Sequence, residues 1–157
     1  MALSLRMDVE VLTLRTTHPF VIARGGQSDH RTVWVRLTDR DGNEGWGEAA
    51  PSKYYGETAD SVVAALQLYG SMLPDDPFLL EDAERRWENK LRGNAAARAA
   101  LSTALHDLVG KRLDVPLYRM WGLDPCTAPR QPSPSVSIPR TASRPRCRRP
   151  SHILSSK

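Results

Sequence analysis

The sequence predicts an α+β fold, on three observations. Alternating apolar positions mark strands up to Ala50, helical periodicity takes over after Thr58, and the two kinds of segment do not interleave. The expected architecture is a three-stranded antiparallel meander followed by a helical bundle, with a disordered tail.

The first strand is read from Val9, Val11 and Thr13 alternating with Glu10, Leu12 and Leu14. Thr16–Arg31 holds Pro19, Gly25 and Gly26, and is expected to be a long loop with its own task. Thr32–Thr38 is the clearest strand, with Val33, Val35 and Leu37 on one face and Trp34, Arg36 and Thr38 on the other. Asp39–Asn43 has hairpin chemistry, because Gly42 can take a positive φ. Glu44–Ala50 returns as the third strand, and Pro51–Glu57 is a second loop.

Thr58 is a plausible cap for a first helix whose stripe is Val62, Ala65, Leu66, Tyr69, Met72 and Leu73. Leu80, Ala83, Trp87 and Leu91 make a second stripe, closed by Gly93. Asn94 is expected to cap a third helix lined by Ala97, Leu101, Ala104, Leu105, Leu108 and Leu113. Its many alanines are strong helix formers and permit close packing. Pro116 ends it, and Leu117–Trp121 reads as a short extra turn stopped by Gly122.

The formal charge of +4 is unevenly placed. Residues 1–125 carry 15 Lys/Arg against 18 Asp/Glu, a net −3, while the last 32 residues hold seven Lys/Arg and no acid. The folded part therefore has no nucleic-acid footprint. Cys126 and Cys147 both lie in the tail, which argues against a disulfide framework or a cysteine metal site in the body. Met1–Met7 lacks the apolar stretch of a signal peptide, and no run is long enough to span a membrane, so a cytoplasmic location is expected.

Five motifs resemble a known family. They are His18-Pro19-Phe20-Val21-Ile22-Ala23-Arg24-Gly25, Gly45-Trp46-Gly47-Glu48-Ala49-Ala50-Pro51, Tyr55-Gly56-Glu57-Thr58, Ala104-Leu105-His106-Asp107-Leu108-Val109-Gly110-Lys111 and Val115-Pro116-Leu117-Tyr118. Together they resemble the N-terminal capping domain of the enolase superfamily, muconate-lactonizing subgroup. The first and third are closest to dipeptide epimerases of the L-Ala-D/L-Glu type.

The resemblance implies a capping domain over residues 8–125, which in intact relatives precedes a (β/α)8 barrel. In those relatives barrel lysines move the α-proton and barrel carboxylates hold Mg2+, which stabilises the enolate. The cap supplies two loops that close over the barrel mouth, here about Pro19–His30 and Pro51–Glu57. By resemblance the substrate-binding candidates are Arg24, able to grip a carboxylate bidentately from a glycine-flanked loop, and Tyr55, able to line the pocket. No catalytic residue and no metal ligand is expected in this chain, and none of its cofactors; Mg2+ belongs to the intact relatives. A dipeptide is an expected partner only where a barrel is supplied, so the chain alone is expected to be inactive. Glu48 looks catalytic but reads better as a strand-end packing or capping group. His18, His30, His106 and His152 show no metal spacing, and Asp107 with Lys111 reads as an exposed i,i+4 helix pair. The glycines of Gly42–Gly47 are a weak phosphate-cradle signal, without the strand–loop–helix context.

From 126 to 157 the composition changes to proline, serine and arginine. Family members continue at this point into a first barrel strand. Shifting each codon boundary one base earlier makes Pro132–Arg140 compatible with Thr-Phe-Thr-Ile-Gly-Ile-Asp-Thr-Pro, a sequence of that kind. The tail is therefore expected to be frameshifted and disordered, since it cannot bury enough apolar surface to offset its ordering entropy. A rival reading is a non-catalytic binding module whose Arg144, Arg146, Arg148 and Arg149 neutralise phosphates. No aromatic residue is interleaved among them to stack on bases, and a solvated tail is the stronger reading. Exposed apolar helix faces with Trp121 are expected to seat on a barrel, or on a second copy of the chain.

Overall fold

The computed structural model describes residues 5–22 and 25–128. Alternation on the central strand decides everything else. Val33, Val35 and Leu37 are fully buried, so the sheet has one dry face, and the helices lie on it.

Strands β1 (Arg6–Ile22), β2 (Gly25–Thr38) and β3 (Glu44–Ala49) form an antiparallel sheet in the order β1-β2-β3. The register puts Met7, Val9 and Val11 opposite Leu37, Val35 and Val33, and sets Gly45, Gly47 and Ala49 opposite the same three residues. The outer face carries Trp34 and Trp46 edge to face with centroids 6.1 Å apart. Beside them Arg36 lies between Asp8 and Glu44, at 3.1 and 3.2 Å. Gly42 takes φ 83° at the β2–β3 turn, as the turn chemistry requires.

The expected loop at Thr16–Arg31 is not a loop. β1 and β2 continue through it as a paired arm, with Phe20, Val21 and Ile22 opposite Gln27, Gly26 and Gly25. Between Arg15 and Phe20 the register slips, so that residues 16–19 bulge from the ladder. Proline lacks the N–H that a ladder needs, and a bulge is where a strand can hold one. Pro19 and the glycines thus mark an irregular strand rather than its end.

The bundle comprises α1 (Ala59–Gly70), α2 (Leu80–Lys90), α3 (Ala95–Leu113) and the single turn α4 (Leu117–Met120). Thr58 and Ser61 cap α1 reciprocally. The Thr58 hydroxyl accepts the Ser61 N–H at 3.1 Å, and the Ser61 hydroxyl accepts the Thr58 N–H at 2.9 Å. Helix α3 is the spine, burying Ala97, Ala100, Leu101, Ala104, Leu105 and Leu108 against the sheet and the other helices. Leu113, expected on that stripe, is instead 47% exposed. The helix stops at Asp114, which takes the left-handed conformation (φ 52°), while the Val115 N–H returns to the Gly110 carbonyl at 3.0 Å. No helix among the described residues is long and apolar enough to cross a membrane.

Why α3 lies so close to β3 is answered by two glycines. A Cβ on Gly45 would stand 2.0 Å from the Ala104 carbonyl oxygen, and one on Gly47 would stand 1.9 Å from that of Ala100. With small residues on both sides, helix and strand touch backbone to backbone. The glycines of this motif serve packing, and no phosphate cradle forms.

Candidate functional site

An antiparallel meander gathers the end of β1, the start of β2 and the end of β3 at one edge of the sheet. The β1–β2 arm and the loop Pro51–Glu57 therefore leave the domain at the same end. Two contacts tie them there. Arg31, at the base of the arm, donates to Asp60 in the first turn of α1 at 3.2 Å. Thr32 is buried, and its single hydroxyl proton is shared between two acceptors, the Ala49 carbonyl at 2.8 Å and the Glu48 carboxylate at 2.7 Å. Glu48 is thus a strand-end partner on the outer sheet face.

The loop after β3 is tightly wound. Its 3-10 turn, Lys53–Tyr55, closes with the Tyr55 N–H on the Ser52 carbonyl at 3.0 Å and the Gly56 N–H on that of Lys53 at 3.1 Å. Gly56 takes φ 74°, after which the Glu57 N–H also returns to the Ser52 carbonyl at 3.1 Å. Seven residues are folded back on themselves, and the side chains pushed outward are Tyr54 and Tyr55. They meet edge to face, centroids 4.9 Å apart, and are 67% and 75% exposed. Two adjacent exposed tyrosines on a turn closed by its own hydrogen bonds make a wall that offers aromatic area and hydroxyls.

Of the two substrate-binding candidates, the structure places Tyr55 at the outer surface of this loop. Arg24 lies outside the described residues, as do His152 and the tail from residue 129 with its expected frameshift, disorder and arginine cluster; His18 falls within β1, in the irregular stretch between Arg15 and Phe20. Tyr54, beside Tyr55, was not singled out by sequence, although the doubled tyrosine in a short loop is a readable signal.

The other motif residues are accounted for by structural contacts. The His106 Nδ1 lies 2.9 Å from the Ser102 carbonyl, and the ring meets Trp121 edge to face, centroids 5.6 Å apart. Asp107 and Lys111 do more than pair along the helix. The Asp107 carboxylate accepts the Trp46 backbone N–H at 2.9 Å, and the Lys111 ammonium donates to the Glu44 carbonyl at 2.9 Å. Two groups on the outer edge of β3 are thereby satisfied by side chains of α3, which blunts the edge against pairing with another strand. Because the partners are 61 and 67 residues apart, helical spacing alone could not reveal this role.

At the opposite end of the sheet, Asp39 has a fully buried carboxylate. It accepts from the Asn43 N–H, the Asn43 side chain and the Asp41 N–H at 2.8–2.9 Å, and from Arg112 of α3 at 2.6 Å. Burial by itself would push this carboxyl up. The bonds from Asn43 and the Arg112 guanidinium outweigh it and hold the group below the usual carboxylate range. This cluster joins the β2–β3 turn to the end of α3.

No group of His, Cys, Asp and Glu among the described residues could hold a metal ion. The described part offers a strand arm, a loop and an aromatic wall at one end, but no set of acid, base and metal ligands.

A family model for the mandelate racemase / muconate lactonizing enzyme N-terminal domain matches residues 6–122. The chain belongs to this family. Within the mandelate racemase / muconate lactonizing enzyme family it is similar to the L-Ala-D/L-Glu epimerase of Bacteroides thetaiotaomicron, with 38% identity over 111 residues, 71% of this chain and 29% of that protein. Among solved structures, the substrate-liganded L-Ala-D/L-Glu epimerase from Bacillus subtilis superposes with a TM-score of 0.71 and 30% identity, covering 78% of this chain and 34% of the other. The dipeptide epimerase from Enterococcus faecalis V583, complexed with Mg and the dipeptide L-Leu-L-Tyr, gives 0.72 and 26%, covering 78% and 35%. The three-stranded sheet followed by helices is therefore the N-terminal fold of this family. The chain spans about a third of the length of these relatives. The Mg that accompanies the dipeptide in the Enterococcus protein finds no seat among the described residues here.

Proposed function

We propose that this chain is the substrate-selecting lid of a dipeptide-epimerase-type enzyme. The observation that carries the reading is the hydrogen-bonded turn that presents Tyr54 and Tyr55 at the same end of the domain as the β1–β2 arm. Two adjacent projections at one edge can close over the mouth of a second domain, exclude water and contact the side chains of a dipeptide. Relatives bearing the names L-Ala-D/L-Glu epimerase and dipeptide epimerase support a short peptide as the substrate class.

In this reading Tyr55 packs against the dipeptide, and Arg24 pairs with its carboxylate. The Mg2+-assisted removal of the α-proton belongs to groups beyond this lid. Trp121 and Leu123, both more than half exposed, are surfaces for the domain it covers.

A direct consequence is that the 157-residue chain by itself does not epimerise. Incubated pure with Mg2+ and L-Ala-L-Glu in D2O, it is expected to leave the α-proton signals at their uncatalysed rate of loss, as followed by proton NMR. Mg2+-dependent deuterium incorporation by the pure chain would show that acid/base groups are already present and overturn the lid reading.

A further inference from the structure

Helix α3 begins without a cap of its own. Asn94, expected to supply one, takes the left-handed conformation (φ 50°) directly after Gly93 (φ 76°), and its side chain makes no capping bond. No acidic residue occupies the first turn, and Arg98, ion-paired with Glu88 of α2 at 3.5 Å, places a cation there. A 19-residue helix thus presents its unpaired N–H groups and positive dipole end with nothing local to answer them.

The answer comes from 39 residues away. The carboxylate of Glu57, on a residue only 6% exposed, accepts the Ala96 N–H at 3.0 Å. Glu57 is also the last residue of the tyrosine loop, and its own N–H closes that loop onto Ser52. Immediately afterwards Thr58 caps α1. One side chain therefore joins the loop to the spine of the domain at the point where its direction is set.

We propose that Glu57 is a positioning residue for the tyrosine loop: by capping α3 from outside, it locks residues 51–57 to the helix and so fixes where Tyr54 and Tyr55 project. The inference rests on reading that loop as substrate-facing. The coupling itself is measured in this chain with no substrate present, so its failure would leave the test of the lid reading untouched.

Residue-resolved amide exchange on the full chain tests it with three variants. Glu57→Ala is expected to speed exchange at Tyr55 and Gly56 and at Arg98 together, by about tenfold, the effect of losing one capping bond of ordinary strength. Amides of Val35 and Leu105 in the core should keep their protection. Glu57→Gln retains a carbonyl oxygen for the Ala96 N–H and should restore most of the protection at both places. Ala96→Pro removes the donor instead of the acceptor, in the first turn, where that N–H has no partner within the helix. It should loosen the loop in the same way, and it decides the matter if Glu57→Ala does not fold. Loop amides that keep wild-type protection while the start of α3 loosens would overturn the proposal, as would a failure of Glu57→Gln to restore them.

Discussion

Gly47→Ala is expected to cost at least about 3 kcal/mol, a large share of the stability of a domain of this size. The added methyl would sit 1.9 Å from the Ala100 carbonyl oxygen and 2.9 Å from the Ala104 nitrogen, both backbone atoms of α3. No rotamer change relieves such a clash, and only separation of helix from strand can. Separation would also break the Asp107 and Lys111 bonds to the edge of β3 and open the alanine seam behind them. Gly45→Ala, aimed at the Ala104 carbonyl oxygen, should behave alike. Gly70→Ala is the control, because its methyl meets only the flexible end of Met7 and should change stability little. Urea unfolding of the three variants measures this. Midpoints for Gly47→Ala and Gly45→Ala equal to that of the parent would show that α3 does not pack flush on β3.

The second large effect is expected at the other end of the sheet. Arg112→Ala removes the cation from a fully buried carboxylate and should cost about 3 kcal/mol, since Asp39 is left charged and short of a partner. Phe78 would also lose the guanidinium lying 5.9 Å from its ring centroid. The cluster has a pH signature. The unfolded carboxyl titrates near ~3.9 and the folded one below that, so the stability it contributes is complete at neutral pH and disappears as pH falls from about 4 through the folded value. Asp39→Asn should therefore be less stable than the parent at pH 7 and lose less of its stability on acidification. Parallel acid-unfolding slopes for the two proteins would contradict the assignment.

What the sequence revealed and what it hid divide along chain distance. Alternation on Thr32–Thr38, the positive φ at Gly42, the Thr58 cap and the stripe through Ala83 and Trp87 are local patterns, each carried by neighbours within a turn or two. The resemblance of five motifs to the enolase superfamily supplied the fold as a whole, and the match over residues 6–122 bears it out. The reading failed where a residue answers to a distant partner. Asn94 looked like a cap, but the cap is Glu57. Asp107 and Lys111 looked like a helix-surface pair, but they also serve the edge of β3. Thr16–Arg31 looked like a loop because proline and glycine punctuate it, whereas pairing across the hairpin carries the strands through. For the candidate site, sequence pointed to Tyr55 and its loop but not to the neighbour Tyr54 or the anchoring of that loop. Both depend on how the turn folds back, which periodicity does not encode.

The lid reading is tested most directly by transplantation. Residues 6–122 would replace the corresponding segment of the Bacillus subtilis L-Ala-D/L-Glu epimerase, and dipeptide epimerisation would be measured for the chimera and for its Tyr55→Ala variant. The account predicts an active chimera in which Tyr55→Ala raises KM several-fold and lowers kcat less, as expected for a group that binds substrate without doing chemistry. A folded chimera that turns over no dipeptide, or one indifferent to Tyr55, would contradict it.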